Sequence, residues 1–238
     1  MAADFNGLHV VVTGGTGALG TAIVGELLAR GATCHVPCIS EEELARFPHA
    51  SSDRVRVARG VDLTSEESVR TFYSRFDVGP GLWASIHAAG GFAMNPIESV
   101  SRADFLGQFE LNTLTCFLCC REAVRHIRAT GRGGRIVNVT SRPGVAPENG
   151  ANMIAYTAAK AGVSALTVAL AAELAGESIW VNAVAPSIMD TPANRAAMPK
   201  ADHASWPKVE EVAQTICFLA SPQNQATRGG LVPVYGKV

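Results

Sequence analysis

Long apolar runs are missing from this chain: nowhere do 18 consecutive apolar residues occur, and spanning a bilayer core takes about 20. Even the most apolar segment, which follows Tyr156, is interrupted by Lys160, Ser164, Thr167 and Glu173, so no membrane span is expected. The opening residues also lack a basic cluster followed by an apolar stretch and a cleavage site, so no secretory leader is read. An excess of charge is missing as well. Twenty basic residues face 21 acidic ones, a net charge of −1, which leaves no electrostatic footprint for nucleic acid. Six cysteines without an export signal read as reduced thiols in the cytoplasm rather than as a disulfide framework. Cys116, Cys119 and Cys120 share one helical segment with no second pair of ligands nearby, and His87 and His126 stand singly. Buried thiols acting as small hydrophobes account for the first three, and no metal site is expected. Repeats, low-complexity tracts and long linkers are lacking too, so residues 1–238 are expected to form a single domain.

What is present is ample apolar material, 47% of residues against 17% charged, enough to offset chain entropy over a large core. Short apolar runs bounded by turn residues recur at 8–12, 32–36, 55–58, 82–87, 135–139, 179–184 and 231–235. Helical patterns lie between them, near 18–30, 41–46, 65–75, 102–130, 152–175 and 208–220. Ser40 with Glu43, Thr64 with Glu67 and Ser101 with Asp104 have the spacing of N-terminal caps, while Gly31, Gly131 and Gly176 stand where helices should end. Regular alternation of strand and helix predicts an α/β, doubly wound (Rossmann-type) seven-stranded parallel sheet with helices on both faces. Ligands of such sheets gather outside the carboxyl ends of the strands. The segment 187–207 follows the sixth strand and carries Met189, Met198 and Trp206, which makes it the expected substrate lid.

The first strand runs directly into Thr13-Gly14-Gly15-Thr16-Gly17-Ala18-Leu19-Gly20 and then into a helix. Glycines there permit a tight turn and let backbone N–H groups approach a pyrophosphate at the helix N-terminus, where unpaired donors and the helix dipole favour negative charge. Strand, loop and helix together point to a dinucleotide. Tyr156 and Lys160, four residues apart on a helical stretch, share one face a turn apart. An adjacent ammonium favours the phenolate and is expected to lower the tyrosine pKa toward the working range of an acid/base. Ser141 ends the fifth strand at its ligand-facing edge, where a hydroxyl can donate to a carbonyl oxygen.

These motifs together resemble the short-chain dehydrogenase/reductase family, and the likeness covers nearly the whole chain. The family loop T-G-x-x-x-G-x-G is altered here, since Ala18 stands at its sixth position; Gly14, Gly17 and Gly20 give T-G-x-x-G-x-x-G instead, and a changed local path is expected. The resemblance implies a catalytic set of Asn112, Ser141, Tyr156 and Lys160, with Asn112 supporting a water that links the lysine to solvent. It implies a cofactor site built from Gly14, Thr16, Gly17, Ala18, Leu19 and Gly20, with Cys38 at the adenosine ribose and Asp62 and Leu63 at the adenine. Ala89, Gly90 and Gly91, in a stretch where His87-Ala88-Ala89-Gly90 replaces the usual N-N-A-G, let the chain pass close to the cofactor. Pro186, Ile188 and Thr191 hold the nicotinamide carboxamide, and Tyr156 and Lys160 reach the nicotinamide ribose.

Cys38 occupies the position where an acidic residue would select NAD; lacking a carboxylate to repel a 2′-phosphate, the site is expected to favour NADP(H) over NAD(H). Glu41, Glu42 and Glu43 form an acidic run at a helix start, where the dipole favours it, and no site is assigned to them. The expected activity is hydride transfer between a nicotinamide cofactor and a small carbonyl or alcohol substrate. A narrower likeness from Asp190 to Trp206 is to dihydropteridine reductases, an alternative that Cys38 and Ser141 disfavour. A sugar epimerase or dehydratase would need a larger substrate region, and a dinucleotide-sensing protein without turnover would show a degraded catalytic set. Helices 102–130 and 152–175, apolar on more than one face, suggest a homodimer or homotetramer.

Overall fold

The chain alternates strand and helix because its apolar runs are strand-length and are separated by helix-forming segments, several of them capped. The computed structural model describes residues 4–79 and 81–238. Seven strands, β1 (His9–Thr13), β2 (Thr33–Cys38), β3 (Val55–Arg59), β4 (Ala84–His87), β5 (Gly134–Val139), β6 (Ile179–Pro186) and β7 (Leu231–Val234), form one parallel sheet in the order β3-β2-β1-β4-β5-β6-β7. The order reverses between β1 and β4, so a crevice opens at their carboxyl ends, where the glycine loop follows β1.

Alternation along β1 sends Val10 and Val12 to one face and Val11 to the other. On the first face they meet α1 (Ala18–Ala29) and α9 (Val209–Ala220); on the second lie α3 (Glu66–Tyr73), α5 (Thr115–Thr130) and α7 (Ile154–Glu173). Among the described helices α7 has the length and apolarity to cross a bilayer, yet it packs against β6 and α5, and Lys160, Ser164 and Thr167 are buried on its inner side.

Caps account for several boundaries. Ser40 accepts from Glu43 N–H at the start of α2 (Glu41–Ala45), and Ser101 and Asp104 form a reciprocal box at the start of α4 (Arg102–Gln108). Gly31 and Gly131 adopt φ of +96° and +65° at helix ends. Some expectations need correction. The cap of α3 is Ser65, not Thr64, because Asp62 draws the Thr64 N–H and hydroxyl into its own turn. Gly176 lies beyond the end of α7, which closes at Leu174. The helix expected over 102–130 is interrupted by a π-helical turn, Phe109–Leu114, that carries Asn112. Two short helices, α6 (Arg142–Val145) and α8 (Pro192–Ala197), were not anticipated: each has proline in its first turn, where the missing N–H costs nothing.

At the other end of the crevice strands, His9 Nδ1 and His35 Nε2 share a proton at 2.8 Å, with His35 buried against the Phe76 ring and its Nδ1 unpartnered. Burial drives the His35 pKa down to about 3, helped by His9 and by Arg75 and Arg56. A folded-state pKa below the unfolded one gives stability that is complete above about pH 6.5 and is lost as pH falls toward 3. By pH 4.5 the loss should be about 2–3 kcal/mol. Urea unfolding at pH 7 and pH 4.5 tests this, and His35→Gln should remove that part of the difference; an unchanged acid sensitivity in the variant would place the effect elsewhere.

Candidate active site

The loop after β1 is shaped by close approach. Gly14 takes φ of +63°, and a Cβ there would lie 2.7 Å from Ala89 N; a Cβ on Gly20 would lie 1.9 Å from Gly14 O. Only bare backbone fits both places, so the loop lies flat against the β4 exit. Gly17 is the N-cap of α1 and has no side-chain bond to that helix, so the first backbone donors of a twelve-residue helix face the crevice. Ala18 begins α1 with ordinary helical backbone, and the loop's positive φ falls at Gly14 instead. This cradle suits a pyrophosphate.

At the ribose end, Cys38 is 6% exposed, and its thiol donates to Ser40 O at 3.2 Å. Thr16 donates from its hydroxyl to Glu43 Oε2 at 2.7 Å, bringing a carboxylate from α2 against the glycine loop. Asp62, after β3, is held by Thr64, which donates to its Oδ1 from both N–H and hydroxyl; these bonds keep its carboxyl below the usual range. Leu63 packs on the core beside it.

The expected reacting residues converge after β4, β5 and along α7. Ser141, two residues beyond the end of β5, caps α6 by accepting from Gly144 N at 3.2 Å, and its hydroxyl lies on the Tyr156 side, where it acts to lower the phenol pKa. Tyr156 is half-buried with the Phe92 ring edge-on at 5.1 Å. Lys160, 6% exposed, donates to Val139 O at 2.9 Å, and its Nζ lies 5.9 Å from the Tyr156 ring centre. Asn112 grips Gly91 from both sides: its amide donates to Gly91 O at 3.0 Å and its oxygen accepts from Gly91 N at 3.3 Å, while the amide also bonds Gln108 O. The π-turn turns Asn112 inward to make this clamp. Gly90 sits between Asn112 and Lys160, since a Cβ there would meet Asn112 Oδ1 at 2.5 Å and Lys160 Nζ at 3.3 Å.

The electrostatics correct one expectation. Burial pushes the Tyr156 pKa up, with only the Ser141 hydrogen bond acting against it, because the Lys160 ammonium is turned toward the Val139 carbonyl. Burial in turn lowers Lys160 to about 8.

At the end of β6 Pro186 is buried, and beyond it Ile188 is exposed and Thr191 caps α8 by accepting from Asn194 N at 3.2 Å. Within 187–207, Trp206 is buried and Met189 packs on the core, whereas Met94 near Phe92 stands in the open. The sequence gives no role to Phe92 or Glu43: Phe92 directly follows the Gly90-Gly91 pair and could have been found from it, whereas nothing local shows that Glu43, three residues beyond a capping serine, reaches Thr16.

His87 is not solitary, contrary to expectation. Its ring, Cys116 and Cys120 place donor atoms within 4.8 Å of one another. Tyr73, Ser85, His87, Asn138 and Thr167 join through successive bonds of 2.8 to 2.9 Å, and the Cys120 thiol lies 3.4 Å from His87 Nδ1 and 3.5 Å from Asn138 Oδ1. The network satisfies its own polar atoms and locks β4 to β5 and α7 beneath the site.

The family described as short chain dehydrogenase matches residues 8–202. The chain is 34% identical to a cis-4-hydroxycyclohexanecarboxylate dehydrogenase of Sinomonas cyclohexanicum, over 95% of this chain and 94% of that one. It is 30% identical to a 3beta-hydroxysteroid dehydrogenase 1 of Eggerthella lenta, over 98% and 94%. The fold superposes on the crystal structure of a levodione reductase with a TM-score of 0.87 at 26% identity, covering 98% of this chain and 97% of that one.

Proposed function

The chain belongs to the short-chain dehydrogenase family and is an NAD(P)-dependent oxidoreductase; from that premise we propose that it interconverts a ring-borne secondary alcohol and its ketone, with Tyr156 as the proton donor and acceptor. The observation that carries this reading is Tyr156, on the ligand side of the sheet beside Ser141 and flanked edge-on by the Phe92 ring, which is 62% exposed. An exposed aromatic beside an acid/base offers a flat apolar wall to a substrate ring. Met94, Ile154 and Ile188 add exposed apolar surface, and Asn95 N–H donates to Asn152 O to tie the Phe92 segment to the start of α7. Two of the relatives are named for alcohols on rings.

When bound, the nicotinamide dinucleotide supplies or accepts the hydride. Gly14, Thr16, Gly17, Ala18, Leu19 and Gly20 would hold its pyrophosphate side, Asp62, Leu63 and Ala89 to Gly91 would line the adenosine path, and Pro186, Ile188 and Thr191 would meet the carboxamide. In ketone reduction Ser141 donates to the substrate oxygen and orients it, and Tyr156 passes its proton to that oxygen. Lys160, one turn along α7 with its Nζ 5.9 Å from the Tyr156 ring centre, is the cation placed to hold the nicotinamide ribose beside it. Asn112 fixes Gly91 and with it the wall of the site. The segment 187–207 closes over the substrate.

A panel of cyclohexanone-type ketones, steroid ketones, quinones, acyl-thioester ketones and quinonoid dihydropterins, assayed with both reduced cofactors, tests the substrate class. Turnover is expected with ring ketones; activity confined to dihydropterins or acyl thioesters would replace this reading. Six unpaired, buried thiols suit a cytoplasmic enzyme. Phe105, Leu106, Leu111 and Phe117 are exposed along the α4 to α5 helix, with Val168 on α7, so we assign this face to a homodimer or homotetramer. Light scattering should give two or four times 24.9 kDa, and a monomer at micromolar concentration would refute the assignment.

A further inference from the structure

The acidic run at 41–43 divides its labour in space. Glu41 pairs with Arg59 at the end of β3, and Glu42 pairs with Arg46 one turn along α2. Glu43 turns the other way. The Ser40 cap fixes its backbone N–H at 3.2 Å, and from that position its carboxylate reaches the glycine loop and accepts from the Thr16 hydroxyl at 2.7 Å. Cys38 lies alongside, its sulfur 3.9 Å from the same hydroxyl. Among the described residues no cation pairs with Glu43, and Arg59, the basic side chain at the neighbouring strand end, is held by Glu41.

A pyrophosphate on the glycine loop would carry its adenosine past the end of β2 toward Asp62, bringing the ribose to the Thr16, Cys38 and Glu43 group. A carboxylate there accepts hydrogen bonds from ribose hydroxyls at the strength of charge-assisted bonds. The same carboxylate faces a 2′-phosphate with like charge and no counterion. We propose that Glu43, reaching in from α2, is the specificity-determining residue of the ribose site and makes this enzyme select NAD(H) over NADP(H). The preference expected from an uncharged Cys38 alone is thereby reversed: the charge missing from the end of β2 is delivered from the next helix. The inference rests on the cofactor reading above.

Titrating the intact protein with NADH and with NADPH, following cofactor fluorescence, reads affinity without any substrate. The wild type should bind NADH at least about tenfold more tightly than NADPH, the range set by one hydrogen bond to a charged group. Glu43→Gln keeps the shape and the backbone cap of α2 and removes the charge; it should narrow the ratio to about threefold or less, mainly by tightening NADPH. Glu43→Lys should invert the preference. Thermal unfolding of each variant verifies that the fold is kept. Equal or tighter binding of NADPH by the wild type, or a ratio that Glu43→Gln leaves unchanged, would overturn the assignment of Glu43 while leaving the cofactor reading standing. Failure of the wild type to bind either dinucleotide would overturn both.

Discussion

Replacing Tyr156 by phenylalanine should lower kcat for ketone reduction by at least about a thousandfold while the dissociation constant for the reduced cofactor stays within about threefold of the wild type. The hydroxyl is the atom at issue: the ring, its edge-on contact with Phe92 and the helical backbone persist in the variant, and only the hydroxyl with its proton is lost. A positioned acid is worth about 10²–10⁴ in rate, and Ser141, which the variant keeps, still orients the substrate oxygen but has no proton source behind it. Fluorescence titration beside single-turnover kinetics separates binding from chemistry. Equal losses in both would show that Tyr156 holds the cofactor rather than moves a proton. Burial that raises the phenol keeps it protonated at neutral pH, the form that donates. Reduction by the wild type should therefore hold its rate through neutrality, while alcohol oxidation, which needs the phenolate, should climb as pH rises.

Much of the architecture was legible because its signals are local. Seven apolar runs of strand length, separated by helical segments, dictate a parallel sheet, and each observed strand lies within two residues of its expected place. The catalytic candidates were legible for the same reason, since Tyr156 and Lys160 are one turn apart on a single helix and Ser141 closely follows a strand. What stayed hidden depends on direction in three dimensions. Spacing placed Lys160 near Tyr156 without saying that its ammonium would be satisfied by the Val139 carbonyl, so the expected lowering of the phenol pKa became a rise. The π-turn at Asn112 leaves no mark in the periodicity, because one extra residue in a turn disappears among apolar neighbours on both sides. Helix propensity explained why Glu43 belongs at the start of α2 but not that its side chain would cross to Thr16, a contact between residues 27 apart in sequence. His87 likewise looked isolated until β4 and α5 brought Cys116 and Cys120 to it.

Adding one methyl group at Gly20 should damage cofactor binding and the fold together. A Cβ there would stand 1.9 Å from Gly14 O, 2.6 Å from Gly14 C and 2.6 Å from Gly15 Cα, all backbone atoms with no side-chain freedom to yield. Gly20→Ala must therefore pry α1 away from the loop it follows. The strain of such overpacking is about 3 kcal/mol or more, which for a domain of this size is roughly 6–12 °C in Tm. The displaced helix carries its first backbone donors away from the pyrophosphate, so affinity for NADH should fall at least about a hundredfold, as expected when several charge-assisted bonds lengthen together. Gly17→Ala serves as the contrast. Its φ is −76° and its Cβ would meet Gly14 O at an ordinary 3.4 Å, so the fold should be kept within about 1 °C. Any loss of NADH binding in that variant comes from the methyl group facing the phosphates rather than from a shifted helix. Thermal melts and fluorescence titrations of the pair decide the matter: Gly20→Ala melting and binding like the wild type would mean that the loop is not held against α1 in the way that makes it a phosphate cradle.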